Sequence, residues 1–491
     1  MKQEVLSVEN GKLSKNGNVI FDGLYFRIFM NEIAGIIYDD IQTKRHLNEF
    51  LLGELELESG RFFVDEKRVP LYRSAHILPS MVTLINKKSK LVNSFSIVEN
   101  IFLFSDSSYF IRKKRYEKLF KDLRERLNID LPHGQKPLEL TSKDRIIVEL
   151  MRAYVGKKRL VILDDLSGYL QKKDIEDIFS VLFKLQRFDM TFLVAISFED
   201  EYIKKIDRVT AIKSNKTISL IDSNTEDIQA ITRRLYFNEN TIKLNTKKHI
   251  LKFDKQDRPI MRFQNVFTSI LKDISFSVNQ GELLKIHCFD DLSCAHIVDL
   301  LKGELKPSGG SIYYRDEFYD AKSIYSAIHR GICFIEECAC DSMLFHNMSI
   351  VENLGIPCGE KIKNFWMFSK YSESIMKQLR SRIGKISRKT TIKNQKSYTL
   401  LQIAYYKWLL YFPKIIVCIN PFTDVDIYMR EKAIDMIHQF LERGITVIIV
   451  TSNYYTANKF GGETVDILKG KQLSGKKWND VLSEDNHTGL S

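Results

Sequence analysis

The sequence predicts an α/β protein: two tandem domains, each with a mostly parallel sheet covered by helices, an antiparallel β portion and a helical insert. The first observation behind this is an internal repeat. The pentapeptide SIVEN occurs at Ser96–Asn100 and again at Ser349–Asn353, and Phe26, Glu32, Gly53 and Gly60 pair with Phe276, Glu282, Gly303 and Gly310 at a constant spacing of 250 residues. The spacing drifts only to 253 between Glu99 and Glu352, and to 255 between Asp164 and Ile419. The second observation is a set of short apolar runs rich in β-branched residues, bounded by turns and separated by helical stretches, as buried parallel strands require. The third is the stretch GIIYDDIQTKRHLNEFLLG, Gly35 to Gly53, which reads as strand, loop and amphipathic helix. Its counterpart, GELLKIHCFDDLSCAHIVDLLKG, runs from Gly281 to Gly303. Two homologous domains follow, residues 1–240 and 241–491, joined between Glu226 and Arg258 by a polar, charged segment.

Within each half the elements come in the same order. Alternating strands open it (Val5–Val8 and Val19–Ile28; Met261–Phe267 and Ile270–Val278), and the strand–loop–helix unit follows. A short β segment with a turn is next (Gly60–Val69; Gly310–Phe318), then a largely helical insert (Ser94–Val155; Ile350–Tyr411). Two apolar runs close each half: Leu160–Leu163 with Thr191–Ile196, and Ile415–Ile419 with Thr446–Val450. The best candidate for a membrane span, Leu400–Ile419, is interrupted by Gln402, Lys407, Pro413 and Lys414 and reads instead as helix, turn and buried strand.

Composition narrows the class. A chain of 491 residues has material for more than one core, and 44% hydrophobic with 28% charged residues is ordinary globular material, which excludes a collagenous or largely disordered chain. All seven cysteines lie in the second half, an odd number without disulfide-framework spacing. With no apolar core of signal-peptide type near the N-terminus, the expectation is a cytoplasmic protein. The formal charge of +12 suits anionic partners, although the lysines are scattered among acidic residues as on any solvated surface. The densest basic runs are Lys87-Lys88-Ser89-Lys90 and Arg112-Lys113-Lys114-Arg115. Cys333, Cys338 and Cys340 lack the CxxC pairs of zinc sites, and His287, His296 and His346 stand isolated.

The chemistry centres on Gly35–Gly53. In a phosphate-binding loop of the form GxxxxGK[ST], glycines let backbone N–H groups crowd round the phosphates, the lysine reaches their oxygens and the hydroxyl holds magnesium. Here Tyr38, Thr43, Lys44 and Arg45 fill those places, so only the lysine is kept. Lys44 and Arg45 would attract an anion electrostatically. The plainer expectation for both is an ordinary solvated cation.

The order of parts resembles an ATP-binding cassette (ABC) ATPase. The tandem arrangement, the SIVENIF phrase and the paired serine–glycine turns are similar to the double-cassette ATPase subunits of bacterial sugar importers of the ribose and galactose type, over nearly the whole chain. The resemblance implies two P-loop NTPase-like domains, ATP and magnesium as cofactors, and an integral-membrane permease docked near Lys87–Phe104. It also implies a peripheral place on the inner face of the cell membrane.

Carried over by position, the resemblance puts Lys44 at the phosphate lysine, with Arg45 and His46 in place of the two hydroxyl residues. Tyr38, Ile41 and Thr43 take glycine positions, and Ile41 resists positive φ. Each lost N–H contact to a charged oxygen removes roughly 1.5–3 kcal/mol. Lys87 stands at the Q-loop glutamine, and Leu140–Asp144 (LTSKD) at the LSGGQ signature, with Ser142 and Lys143 for its glycines. Asp164 is the retained magnesium-side carboxylate. Asp165 replaces the catalytic glutamate, shorter by roughly 1.5 Å of reach, a misplacement that removes about a hundredfold in rate; its structural alternative is a cap on the next turn. Phe198 stands at the switch histidine. No aromatic residue for stacking the base occurs from Leu13 to Val19.

The second half departs further. Cys294 stands for the lysine and Ala295 for the hydroxyl, while Cys288, Asp291 and Ser293 replace glycines, and Asp290 with Asp291 would repel a triphosphate. Ile419 and Asn420 hold the two carboxylate positions, Ser397 and Tyr398 the signature glycines, and Asn453 the switch position. Pro421, Asp426, Gly303 and Glu337 remain in family-like places. The reading is a cassette subunit of carbohydrate-importer type with little or no ATP hydrolysis, a pseudo-ATPase acting in transport or as a scaffold. The alternatives are a non-catalytic regulator sensing nucleotide or another anion at Lys44 and Arg45, and a soluble tandem-cassette factor acting on ribosomes. The ribosomal alternative would ordinarily bring intact catalytic motifs and a long charged hairpin.

Overall fold

In the computed structural model the described residues are 3–15, 17–103, 113–129, 131, 134–196, 200–222, 259–358, 391–392, 395–453 and 460–473. The chain divides into two compact units. The first comprises residues 1–247 with Lys396–Tyr398 and Thr423–Glu431, and the second comprises the remainder. The junction expected between Glu226 and Arg258 lies outside the described residues.

The first unit opens with β1 (Glu4–Lys15) and β2 (Asn18–Phe29), then β3 (Ile33–Tyr38), α1 (Ile41–Leu51), β4 (Ser59–Val64) and β5 (Lys67–Val69). Next come α2 (Ser74–Met81), β6 (Val82–Ile85), α3 (Ile97–Phe102), α4 (Lys113–Leu127) and α5 (Ser142–Val155). It closes with β7 (Leu160–Leu163), α6 (Leu166–Tyr169), α7 (Lys172–Gln186), β8 (Thr191–Ala195), β9 (Arg208–Lys213) and β10 (Lys216–Asp222). A four-stranded antiparallel sheet has the order β2-β1-β4-β5, and a six-stranded sheet the order β10-β9-β3-β8-β7-β6, parallel except for its β9–β10 hairpin.

Side-chain alternation along the parallel strands separates two cores. Ile33, Ile37, Val161, Leu163, Phe192 and Val194 face the cluster containing α3, α4, α5 and α7, whereas Ala34, Ile36, Leu160, Ile162, Leu193 and Ala195 face α1 and the antiparallel sheet. Both faces are buried, which is why these strands read as unbroken apolar runs.

The second half of the chain repeats the plan with β11 (Pro259–Phe267), β12 (Ile274–Asn279), β13 (Leu283–Cys288), α8 (Asp291–Lys302), β14 (Gly309–Tyr314) and β15 (Glu317–Phe318). Then follow α9 (Ile324–His329), β16 (Ile332–Ile335), α10 (Ala339–Ser342), α11 (Ile350–Gly355), α12 (Ser397–Tyr411) and β17 (Ile415–Ile419). Last are α13 (Ile427–Glu442), β18 (Thr446–Thr451), β19 (Glu463–Leu468) and β20 (Lys471–Gln472). Its sheets run β12-β11-β14-β15 and β16-β17-β18-β13-β19-β20, the same orders element for element. The tandem α/β architecture is therefore as expected, and Leu400–Ile419 is helix, turn and buried strand. Among the described residues no helix is long and apolar enough to cross a membrane.

The departures are local. The strand expected over Val5–Val8 continues to Lys15, because Asn10 at φ 49 and a register shift between Val8 and Gly11 absorb the turn-like Asn-Gly pair as a bulge. The strand expected from Ile270 starts at Ile274, because Thr268 Oγ1 accepts the N–H groups of Ile270 and Leu271 and closes a turn. Of the second insert, residues 359–390 lie outside the described residues.

The repeated SIVEN phrase has a local physical cause. Ser96 and Glu99 form a reciprocal capping box on α3, as Ser349 and Glu352 do on α11. The buried asparagine that follows ties down the preceding loop: Asn100 Oδ1 accepts from Val92 N at 2.7 Å and Nδ2 donates to Val92 O at 3.0 Å, matched by Asn353 and Phe345 at 2.7 and 3.1 Å. Asn100→Ala is expected to destabilise the first unit by about 2–4 kcal/mol, since it strands several buried backbone groups at once. Urea denaturation would measure it, and a loss under about 0.5 kcal/mol would contradict this assignment.

The glycine pair also has a reason. A Cβ on Gly310, at φ +75, would lie 1.9 Å from Asn265 O, so the bulged strand of β11 leaves no room for a side chain. Gly60, at φ +112, meets Asn10 O in the same way at 2.7 Å.

Candidate functional site

The first site is built where β3 meets α1. Only Asp39 and Asp40 separate the two elements, so Lys44 lies in the first turn of the helix and not in a loop. The expected strand, loop and helix are all present, with the loop cut to two residues. The chain avoids the strain anticipated at Ile41, since neither it nor Tyr38 nor Thr43 adopts a positive φ. Polar groups of the protein itself close the helix end. Asp40 caps it, its Oδ1 accepting from Gln42 N at 2.7 Å, and Asp426 Oδ2 accepts from Ile41 N at 3.3 Å. Ser397 Oγ donates to Asp40 Oδ1 at 2.9 Å.

Lys44 is 3% exposed, so the solvated-cation expectation fails for it. Its Nζ lies 2.6 Å from Asp424 Oδ1 and 2.7 Å from Asp164 Oδ1, the latter an ion pair outside hydrogen-bonding geometry, and 5.6 Å from the centre of the Tyr38 ring. Arg45, partly exposed, holds Asp424 Oδ2 at 2.7 Å. Asp424 therefore accepts from both cations. Burial alone would raise its pKa, but Lys44 and Arg45 outweigh that and bring it down to about 2. Burial likewise works against the Lys44 ammonium, yet Tyr38, Asp164 and Asp424 hold it well above its ordinary value.

Asp165 is in the left-handed region at φ 53, and its side chain does not cap α6, which corrects the structural alternative for this residue. Instead Asp165 Oδ2 accepts from Asp424 N at 2.7 Å. Gly168 makes room for it, because a Cβ there would fall 2.1 Å from Oδ2. Thr423 Oγ1 donates to Gly168 O at 2.8 Å and fixes the same segment. Burial pushes Asp165 up to about 7, with Asp424 and Asp164 adding to the rise and Lys44 opposing it. Asp426 is also pushed up to about 7, by burial first and then by Asp40, against the hydrogen bonds from Met429 N and Ile41 N.

His46 stays in the field of Asp40 and Arg45, while Lys87 and the signature region have surroundings of their own. His46 is half-buried, and burial lowers its pKa despite Glu49. Lys87 lines a small pocket with Asn86, Ser89, Arg145, Glu149 and Tyr169, a lining that does not include Lys44. In the signature region Thr141 caps α5, and Lys143 is paired with Asp177 at 2.9 Å, so this helix end is also occupied by its own side chains. Phe198 lies outside the described residues.

In the second unit, Asp290 takes the place of an anion at the start of α8, accepting from Ser293 N at 2.7 Å, Ser293 Oγ at 2.8 Å and Lys469 N at 3.2 Å. Cys294, at the lysine position, is buried. Asn420 keeps the left-handed backbone of Asp165, at φ 42, but its amide donates to Glu337 Oε2 and accepts from Ser452 N. Two of the three histidines that looked isolated are hydrogen-bonded: His287 Nδ1 to Asp466 at 3.1 Å and His296 Nδ1 to Thr268 Oγ1 at 2.8 Å.

Magnesium and ATP do not fit either place as built. Asp164 faces the Lys44 ammonium, the hydroxyl position is Arg45, and the N–H groups that would meet phosphate are directed to Asp40 and Asp426. Among the described residues no three carboxylate, thiol or imidazole groups converge to hold a metal ion. The residue missed by sequence reasoning is Asp424. Only its acidic neighbourhood in PFTDVD, two places before Asp426, signalled it.

No protein-family model matches the chain. Curated relatives do. The ribose import ATP-binding protein RbsA of Clostridium tetani is 24% identical over 452 residues, covering 89% of this chain and 88% of that protein. The galactose/methyl galactoside import ATP-binding protein MglA of Clostridium perfringens is 21% identical over 468 residues, covering 92% and 89%. Among solved structures, cbiO1 from Clostridium perfringens, part of the ABC transporter complex cbiONQ, is 17% identical at a TM-score of 0.41 and covers 45% of this chain and 90% of that chain. The homologues of this chain are ribose and galactose import ATP-binding proteins, matched over most of its length.

Proposed function

We propose that this chain, a tandem-cassette homologue of sugar-import ATP-binding proteins, is the ABC subunit of a carbohydrate-importer-like system that has given up most or all of its ATP hydrolysis. It serves as a membrane-associated transport or scaffold subunit, docked on an integral-membrane permease at the cytoplasmic face. Its domains are 1–240 and 241–491, with Lys44, Arg45, His46, Lys87 and Asp164 in the positions that would meet nucleotide and metal.

One observation supports the loss of turnover above the rest: Lys44 is ion-paired to Asp164 and Asp424 while carboxylates close the start of its helix. An ammonium held in this way must give up two charge-assisted contacts before it can reach a phosphate oxygen. The base position adds to the argument, because Asp165 is shorter than a glutamate and is bound to the Asp424 N–H. The similarity to importer subunits over most of the chain supports the permease as partner.

Incubating the purified full chain with γ-labelled ATP and magnesium is expected to release no phosphate above a no-protein control. Steady turnover would overturn the pseudo-ATPase reading. Affinity capture of the tagged chain from detergent-solubilised membranes is expected to retain a permease. Recovery of ribosomal RNA in its place, lost on raising salt, would favour the ribosomal alternative.

A further inference from the structure

The basic run Arg112 to Arg115 has no part in the nucleotide positions, and its described end opens α4. We propose that the solvent face of α4 is a docking surface for an anionic phospholipid membrane: Lys114, Arg115, Lys118 and Lys121, flanking the exposed Leu119, adsorb the first unit to acidic headgroups without help from another protein.

The burial pattern carries this. The opposite stripe of α4, Tyr116, Phe120, Leu123 and Leu127, is committed to the core, with Tyr116 stacked on Phe102 at 4.9 Å between ring centres. The helix therefore has no apolar face to turn toward a bilayer, and charge and one leucine are what it offers outside. From Lys114 to Lys121 the exposed positions are the four cations and Leu119, which is 40% exposed; Glu117 is only partly exposed, and the acids Asp122 and Glu125 come later. Lys121 faces Glu125 at 3.9 Å, but with both side chains largely in water such a pair holds the cation weakly. Helix stability does not explain the arrangement. Cations in a first turn oppose the helix macrodipole, and α4 has no acidic residue there. A leaflet of anionic lipid does explain it, because its negative surface potential acts on each lysine or arginine brought near and its boundary layer accepts a leucine. A nucleic acid would use the same cations but offers Leu119 no apolar layer.

This inference deepens the membrane-associated reading and rests on it. The test is co-sedimentation of the purified full chain with phosphatidylcholine vesicles, with and without phosphatidylglycerol, at low and at raised salt. The expected result is binding to the phosphatidylglycerol vesicles alone, weakened by salt. Combining Lys114→Gln with Lys118→Gln is expected to lower the partition about 25-fold, about fivefold for each cation. Combining Lys67→Gln with Lys216→Gln, two exposed lysines elsewhere in the first unit, is expected to leave it within about twofold. A thermal melt of each variant separates loss of fold from loss of binding. Equal losses in the two pairs of folded variants would overturn the proposal, as would a wild type that ignores acidic vesicles. Displacement of the chain from those vesicles by polyuridylate would overturn it too, assigning the face to nucleic acid. Failure to capture a permease would defeat the transport reading alone, because the vesicles contain no other protein.

Discussion

Lys44→Met is expected to destabilise the first unit by about 3–5 kcal/mol, among the largest effects available to a single substitution in this chain. The methionine matches the volume of the aliphatic stem, so packing is nearly kept. What is lost is the positive charge that Asp164 and Asp424 face at 2.7 and 2.6 Å, with Asp165 also within its field. Three carboxyl groups would then share a largely dry space beside the partly exposed Arg45. The measurement is urea denaturation of the full chain at neutral pH, following the transition of the first unit. A shift below about 0.5 kcal/mol would show that the ion-paired lysine is not a structural necessity. Acidification should partly rescue the variant, because protonated carboxyls no longer repel one another.

The stability of the same unit is expected to fall as pH rises from about 4 to about 7. Asp165 and Asp426 both have folded-state values pushed up to about 7, while an unfolded aspartate titrates near 3.9. Across that window the folded chain holds protons that the unfolded chain has released, so raising the pH favours unfolding. Each group accounts for on the order of a few kcal/mol, fully present below about pH 4 and gone above about pH 7. Asp424 acts oppositely. Its value of about 2 means that its contribution is present above about pH 4 and is lost as the pH falls toward 2. The groups facing these carboxyls are Lys44, Asp424 and Asp164 for Asp165, and Asp40 with the Met429 and Ile41 N–H groups for Asp426. Denaturation midpoints at pH 4.5 and 7.5 would test this. Asp426→Asn and Asp165→Asn should each flatten the slope, and a wild-type profile flat over that interval would rule out buried protonated aspartates here.

Asp164 and Asp165 illustrate how residue identity and residue state separate. Two adjacent carboxylates at the end of a strand, RLVILDDL, were visible as a pair of positions. Their states were not, because burial, the Lys44 charge and the Asp424 N–H act on them from residues about 120 before and 260 after in the chain. Lys44 was likewise singled out from its place after the first apolar strand, yet its pairing with Asp424 was not legible there. The departures at Asn10 and Thr268 are of another kind. There a bulge and a side-chain-closed turn were encoded locally, and turn-forming residues were compatible with either reading.

The amino-acid order by itself determined the doubled α/β plan, the strand succession and the reason for SIVEN, since periodicity, capping and apolar runs act over a few residues and repeat wherever the letters repeat. Tertiary structure alone decided what Lys44 does. A lysine side chain takes its state from the nearest charges in space, and Asp424 stands 380 residues away along the chain yet 2.6 Å from its ammonium nitrogen.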